Sequence, residues 1–326
     1  MRKVSLESVL VVGAGKLGNS VAVCLALAGH EVVYLTDDLS TAQETCQNHF
    51  SDLNRYGKGR NIPRAITYTR ALPENQAFQL AIVVTAEDLP EKIRLIQRLE
   101  EYLPETTTIA VNSETFDLAL LQADAKNPHR ILVANWVEPA HTTLFLELIG
   151  NEHTEPTRIQ SLKRLASDYW NKDPYCLSQG EGIRQRLIAA LIREALFLVQ
   201  NDYASVEDID RACRNDPGYY LPFAGNCRYM DLMGTYAYGM VMKDLNPELS
   251  KDRTVAPIYL KILEKGGQGM ENREGFFAYQ PEEVAAWEQK IRRFSYEIQG
   301  LIEKYPFAQP KNDAEVMIAT PILSKT

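Results

Sequence analysis

The segment SVLVVGAGKLG, residues 8–18, passes from a short apolar, β-branched run straight into G-x-G-x-x-G. The run has the character of a strand buried on both faces. Gly13 permits a tight turn, Gly15 lets a pyrophosphate approach the backbone, and Gly18 lets the next helix pack closely on the strand. The start of that helix, with Lys16 and Leu17 in its first turn, offers free N–H groups and partial positive charge to phosphate. Residues 16–28 read as the helix, closed by Gly29, and EVVYLT at 31–36 as a second strand. Asp37 follows Gly18 by 19 residues, near where a carboxylate meets the adenine ribose and disfavours the extra phosphate of NADP. The pattern predicts a Rossmann-type unit that binds NAD.

Further apolar runs at 65–69, 80–84, 107–111, 130–134 and 142–149 read as strands, with a helix at 89–102. Alternating strands and helices imply a mostly parallel sheet covered on both faces. A helix at 156–170 and a last strand at 174–178 follow. Beyond Ile183 the pattern is helical, with helices expected at 184–199, 205–213, 226–243, 255–264 and 281–304. The expected fold is α/β: an N-terminal Rossmann domain over 1–182 and an all-helical domain for substrate and dimerisation over 183–326.

The chain has 326 residues, 45% of them hydrophobic, and a net charge of −8. It carries no basic stripe, which argues against nucleic acid as a partner. The five cysteines are scattered without a CxxC pair, which argues against a disulfide framework or a structural zinc site. With no apolar run near 20 residues, neither a membrane span nor a leader is expected, and the cytoplasm is the expected location. Serine-nucleophile, P-loop and HExxH patterns are absent.

TAEDLPEK at 85–92, VNSETF at 111–116, PHRILVANWVEPAHTTLFLELI at 128–149, GIRQRLIAALIREALFLV at 182–199, VEDIDRACRNDPGYY at 206–220 and EGFFAY at 274–279 occur in that order after the glycine loop. From Val9 to about Tyr279 the chain resembles the L-3-hydroxyacyl-CoA dehydrogenases, particularly the bacterial and lambda-crystallin-like branch. The resemblance implies NAD-linked oxidation of a 3-hydroxyl group, on acyl-CoA or a smaller 3-hydroxy acid, and a homodimer formed through the helical domain. It implies that Glu87 and Lys92 face the nicotinamide end of the cofactor. Counting from Gly13, Thr36 falls on the family's acidic ribose position and Asp37 one residue beyond.

The catalytic positions depart from the family's pattern. Oxidation of a secondary alcohol needs a base for the hydroxyl proton. In the family a histidine held by a glutamate supplies it; Glu147 matches the glutamate, but Asn135 stands at the histidine position. An amide donates and accepts hydrogen bonds but takes no proton near neutral pH. Glu138 replaces an asparagine, Glu114 beside Thr115 replaces the substrate-binding serine, and Gln185 replaces an asparagine on the first long helix of the second domain. Two other bases are open. His141 sits in the turn before the next strand, where an exposed loop histidine is the plainer expectation. Glu138, if buried beside Glu147, would have a raised pKa; otherwise it is an exposed loop carboxylate. The segment 40–62 is shorter than the family's helical hairpin, and its Arg55, Lys58 and Arg60 suit either a phosphate or a solvated turn. The aromatic stretch from Tyr219 to Phe223, with Tyr229, Tyr236 and Tyr238, suits either core or interface. The alternative to a dehydrogenase is a homologue that binds NAD as a sensor or structural subunit.

Overall fold

A computed structural model describes residues 8–56, 66–73, 76–178 and 182–306. Its first half is an eight-stranded sheet in the order β3-β2-β1-β4-β5-β6-β7-β8. The strands are β1 (Ser8–Gly13), β2 (Glu31–Leu35), β3 (Ile66–Thr69), β4 (Leu80–Val84), β5 (Thr108–Val111), β6 (Ile131–Trp136), β7 (Phe145–Ile149) and β8 (Asp173–Leu177). All pairings are parallel except β6 with β7. The period of two in a strand divides the core between the faces. Val9 and Val11 enter one buried cluster, Leu10 and Val12 the other.

Helices α1 (Gly15–Ala28), α2 (Leu39–Arg55), α3 (Leu89–Tyr102), α4 (Leu118–Gln122) and α5 (Pro156–Tyr169) connect the strands. α2 occupies the segment for which the sequence suggested only a shortened insertion. Its Ala42, Cys46, His49 and Leu53 share one buried face, and the Asp38 side chain caps its start by accepting from Thr41 N–H. Arg55 ends α2, whereas Lys58 and Arg60 lie outside the described residues.

The elements after Gly182 are helices: α6 (Ile183–Gln200), α7 (Val206–Asn215), α8 (Pro217–Met233), α9 (Thr235–Leu245), α10 (Pro257–Glu264) and α11 (Pro281–Lys304). The single helix expected at 226–243 is two, because Gly234 at φ 113° interrupts it. The aromatic stretch 219–223 is helical as well, and α8 bends at Gly225, where φ is 64°. The strand expected at 142–149 begins only at Phe145. Residues 139–143 instead form a turn after the cis Glu138–Pro139 bond. Buried Lys172 donates to the carbonyls of Ala140 and Thr143, holding that turn beside Trp136.

α1 meets the sheet through its glycines. A Cβ at Gly13, whose φ is 154°, would overlap the Val84 carbonyl oxygen, and one at Gly18 would lie 2.6 Å from the Tyr34 hydroxyl. Gly13→Ala combines backbone strain with overpacking, so urea unfolding should show a loss of about 2–5 kcal/mol. Gly15, at φ 77° with open space where a Cβ would stand, should lose only about 1 kcal/mol on the same change.

Candidate functional site

The C-terminal ends of β1, β4, β5 and β6 converge at one edge of the sheet, the edge at which open α/β sheets bind ligands. A cavity of 520 Å³ opens at the other edge, against Val9, Leu80, Thr108 and Arg158, and lies away from this chemistry.

At the glycine loop, α1 starts after Ala14, whose side chain makes no cap. Its first N–H groups are left for a ligand. The open side of Gly15 gives a pyrophosphate room to approach, so the loop fits a dinucleotide. Lys16 points outward and pairs with Glu288 of α11 at 2.8 Å. Leu17 packs against the core. Thr36 is buried, while Asp37 is exposed just past β2. Its neighbour Asp38 is committed to capping α2. Arg70, brought in at the end of β3, donates to the Asp37 carbonyl at 3.0 Å. That arginine is invisible to a reading that searches only the residues after β2.

Glu87 and Lys92 form a built pair. The Lys92 ammonium is fully buried, lies 3.3 Å from Glu87, and donates to the carbonyls of Asn112 (2.8 Å) and Thr85 (3.2 Å). Burial pushes its pKa down, and Glu87 opposes the shift. The other Glu87 oxygen accepts from the Thr115 hydroxyl (2.8 Å) and backbone N–H (3.3 Å). The Asn112 side chain accepts from Trp136 N–H at 3.0 Å, tying the β5 loop to β6. One network therefore brings together Glu87, Lys92 and Thr115.

Asn135 and Glu147 are directly opposed across β6 and β7, and both are buried. Asn135 Nδ2 donates to Glu147 Oε2 at 3.1 Å, and Asn135 Oδ1 accepts from Ser113 N–H at 3.0 Å. The donor on one side and carboxylate on the other define which amide atom is which. Glu147 Oε1 accepts from Ile183 N–H, in the first turn of α6, at 2.7 Å. Gln185 closes over the same point: a Cβ at Gly182 would meet both its Oε1 and Glu147 Oε2. Both polar ends of the Gln185 amide are buried without a hydrogen-bond partner among the described residues. Glu114 pairs at 2.7 Å with Arg184, a residue the sequence did not single out.

The two alternative bases lie elsewhere. Glu138 is not half of a carboxylate pair with Glu147. It is an exposed loop carboxylate, whose pKa is raised by partial desolvation, and the charges acting on it are Lys16, Glu288 and Arg292. It lies three residues beyond Asn135 and feels the charges of the first turn of α1 and of α11. His141 is no exposed loop residue. Its ring packs edge-on against His49 of α2, with centroids 4.6 Å apart, and its Nε2 lies 3.2 Å from the Tyr296 hydroxyl of α11. Burial and the neighbouring His49 and Lys172 push its pKa down to about 3, while burial brings His49 to about 4. Both rings are neutral in the folded chain at neutral pH. The unfolded chain takes up protons near pH 6.5 and the folded chain does not, so stability is complete above that pH and falls as pH drops toward 4. Urea unfolding at pH 7 and pH 5 should differ by about 2 kcal/mol for each ring, and His49→Phe should remove about half of the difference.

Two family models cover most of the chain: the 3-hydroxyacyl-CoA dehydrogenase NAD binding domain over residues 8–179 and the C-terminal domain over 183–279. Among curated relatives, 5-formyl-3-hydroxy-2-methylpyridine 4-carboxylate 5-dehydrogenase of Mesorhizobium japonicum is 24% identical, covering 91% of this chain and 99% of that one. L-carnitine dehydrogenase of Bacillus cereus is 26% identical over 94% of this chain and 95% of its own. A crystal structure of a 5-formyl-3-hydroxy-2-methylpyridine 4-carboxylic acid 5-dehydrogenase, described as an NAD+ dependent dismutase, superposes with a TM-score of 0.85. It is 23% identical and covers 92% of this chain and 100% of that one. An (S)-3-hydroxybutyryl-CoA dehydrogenase from Ralstonia eutropha gives a TM-score of 0.65 at 20% identity, covering 85% and 100%. With both of its halves matched in order and its glycine loop built for a dinucleotide, the chain belongs to the 3-hydroxyacyl-CoA dehydrogenase family of NAD-dependent oxidoreductases.

Proposed function

We propose that the chain transfers hydride between NAD(H) and a small substrate with a 3-hydroxy or 3-oxo group, at the junction of the Asn135–Glu147 pair and the Glu87–Lys92 pair. The observation that carries the reading is that Asn135 remains wired to Glu147 and Ser113, in the place of a catalytic side chain. NAD, when bound, supplies the hydride acceptor or donor. Gly13, Gly15, Lys16, Leu17 and Gly18 bind its phosphates, Asp37 its ribose, and Glu87 and Lys92 its nicotinamide end. Glu138 stands over the glycine loop and His141 braces the turn behind it.

One hydrogen of Asn135 Nδ2 is given to Glu147, which leaves the second for the reacting oxygen. A fixed N–H polarises a carbonyl and stabilises negative charge on it. It neither takes nor gives a proton, so the proton gained by the oxygen in reduction, or lost in oxidation, is exchanged with water. Thr115 and Gln185 supply the remaining polar contacts to substrate.

The helical half suits a homodimer. α6 buries none of its residues, and Leu187, Ile188, Leu191 and Ile192 form an exposed apolar stripe. Tyr219 and Tyr236 are 78% and 81% exposed, which fits an interface and not a core. The five cysteines are free, which suits a reducing cytoplasm.

NADH oxidation with 3-oxo probes, as free acids and as acetoacetyl-CoA, tests the reaction. Asn135→Ala should lower turnover about 100-fold in both directions, and Asn135→His should raise it about 100-fold in both, as the base in oxidation and, protonated, as the acid in reduction. NADH binding with no turnover of any 3-oxo probe would leave a cofactor-binding protein without this chemistry. Sedimentation should give a dimer that Leu187→Asp with Leu191→Asp converts to monomer; a monomeric native chain would refute the assembly.

A further inference from the structure

We propose that Arg184 is the specificity-determining anchor for a carboxylate on the substrate, so that the substrate class is a free 3-oxo or 3-hydroxy acid and not its CoA thioester. This rests on the reaction proposed above and names the substrate of that same site.

The placement of Arg184 is set by the catalytic pair itself. The N–H of Ile183, the preceding residue, donates to Glu147 Oε1, so the first turn of α6 is pinned against the carboxylate that holds Asn135. The guanidinium then reaches Glu114 at 2.7 Å. Glu114 lies between Ser113, whose N–H holds Asn135, and Thr115, whose hydroxyl holds Glu87. The ion pair therefore bridges the strip of chain between the reacting oxygen's donor and the nicotinamide side of the cofactor site.

Three features mark this cation as a ligand group. The bond from Nη1 to Glu114 is the single hydrogen bond that Arg184 makes among the described residues, and the rest of its planar fork takes no partner among them. The side chain is 28% exposed and its partner 35%, which leaves the pair reachable but partly desolvated. The adjacent Gln185 has a buried amide with neither end satisfied among the described residues, an arrangement that costs free energy until a polar ligand arrives. Glu114 holds one nitrogen and fixes the plane of the fork; the other edge matches a carboxylate in two parallel bonds.

The chemistry of the two substrate forms then decides between them. In an acyl-CoA the group next to C2 is an uncharged thioester, and the phosphates lie at the far end of the pantetheine arm. A free 3-oxo acid places a carboxylate at that position. The guanidinium has a charged, two-oxygen partner in the acid and only a neutral carbonyl oxygen in the thioester.

The test separates binding from turnover. The NAD+-loaded protein cannot reduce a 3-oxo compound, so calorimetry can report acetoacetate, methyl acetoacetate and acetoacetyl-CoA as ligands without reaction. Acetoacetate should bind the native protein more tightly than its neutral ester. Arg184→Gln should weaken acetoacetate about 10- to 100-fold and leave the ester within about threefold, and Arg184→Lys should recover part of the loss. NAD+ binding, measured separately, should be unchanged in both variants. If Arg184→Gln fails to fold, the acid-to-ester preference of the native chain and the Arg184→Lys variant still decide. Tighter binding of ester or CoA thioester than of acid, or equal losses for acid and ester, would overturn the proposal. Acetoacetate bound through Arg184 with no NADH-dependent turnover would uphold the anchor and refute the reaction.

Discussion

The buried carboxylate of Glu147 is the constraint from which the site follows. A carboxylate removed from water needs donors on both oxygens. One comes across the sheet from Asn135 and the other from the first turn of α6. β6 and β7 are antiparallel, which puts the two side chains directly opposite and within reach. A single acid therefore sets the orientation of the amide, the position of the helix start and, through that helix, the positions of Arg184 and Gln185.

Lys92 is another buried charge at this edge of the sheet. Its three donors are spent on Glu87, Thr85 and Asn112, which locks the ends of β4 and β5 together. Asn112 passes the constraint to Trp136 and Ser113 passes it to Asn135. The two charged centres share the loop after β5, so their geometries are not independent. The Asn135 amide satisfies both of its neighbours, Glu147 and Ser113, and so completes this scaffold.

Much of the fold was legible along the chain. The strand–glycine–helix sequence, the buried run at 80–84 and the long helices at 89–102, 184–199 and 281–304 all announce themselves by period. The places that resisted are those where local pattern is weak. α2 is mostly polar, and its buried face is only four residues. The break at Gly234 depends on one backbone angle inside an otherwise helical composition. The delayed start of β7 depends on Lys172, a residue 29 positions from Thr143, whose carbonyl it holds.

The sequence by itself determined the doubly wound architecture, the dinucleotide loop and the family, because these rest on spacing and on glycines whose need is local. Through the resemblance it also pointed to Asn135 as standing where the family carries a base. Only the tertiary structure decided what surrounds that residue. It left Glu138 exposed, in the field of Lys16, Glu288 and Arg292, and packed His141 between α2 and α11. It brought Arg70 to Asp37 and Arg184 to Glu114, residues 33 and 70 positions apart. Side-chain partners at such separations are chosen by strand order and helix docking, and no period in the chain encodes them.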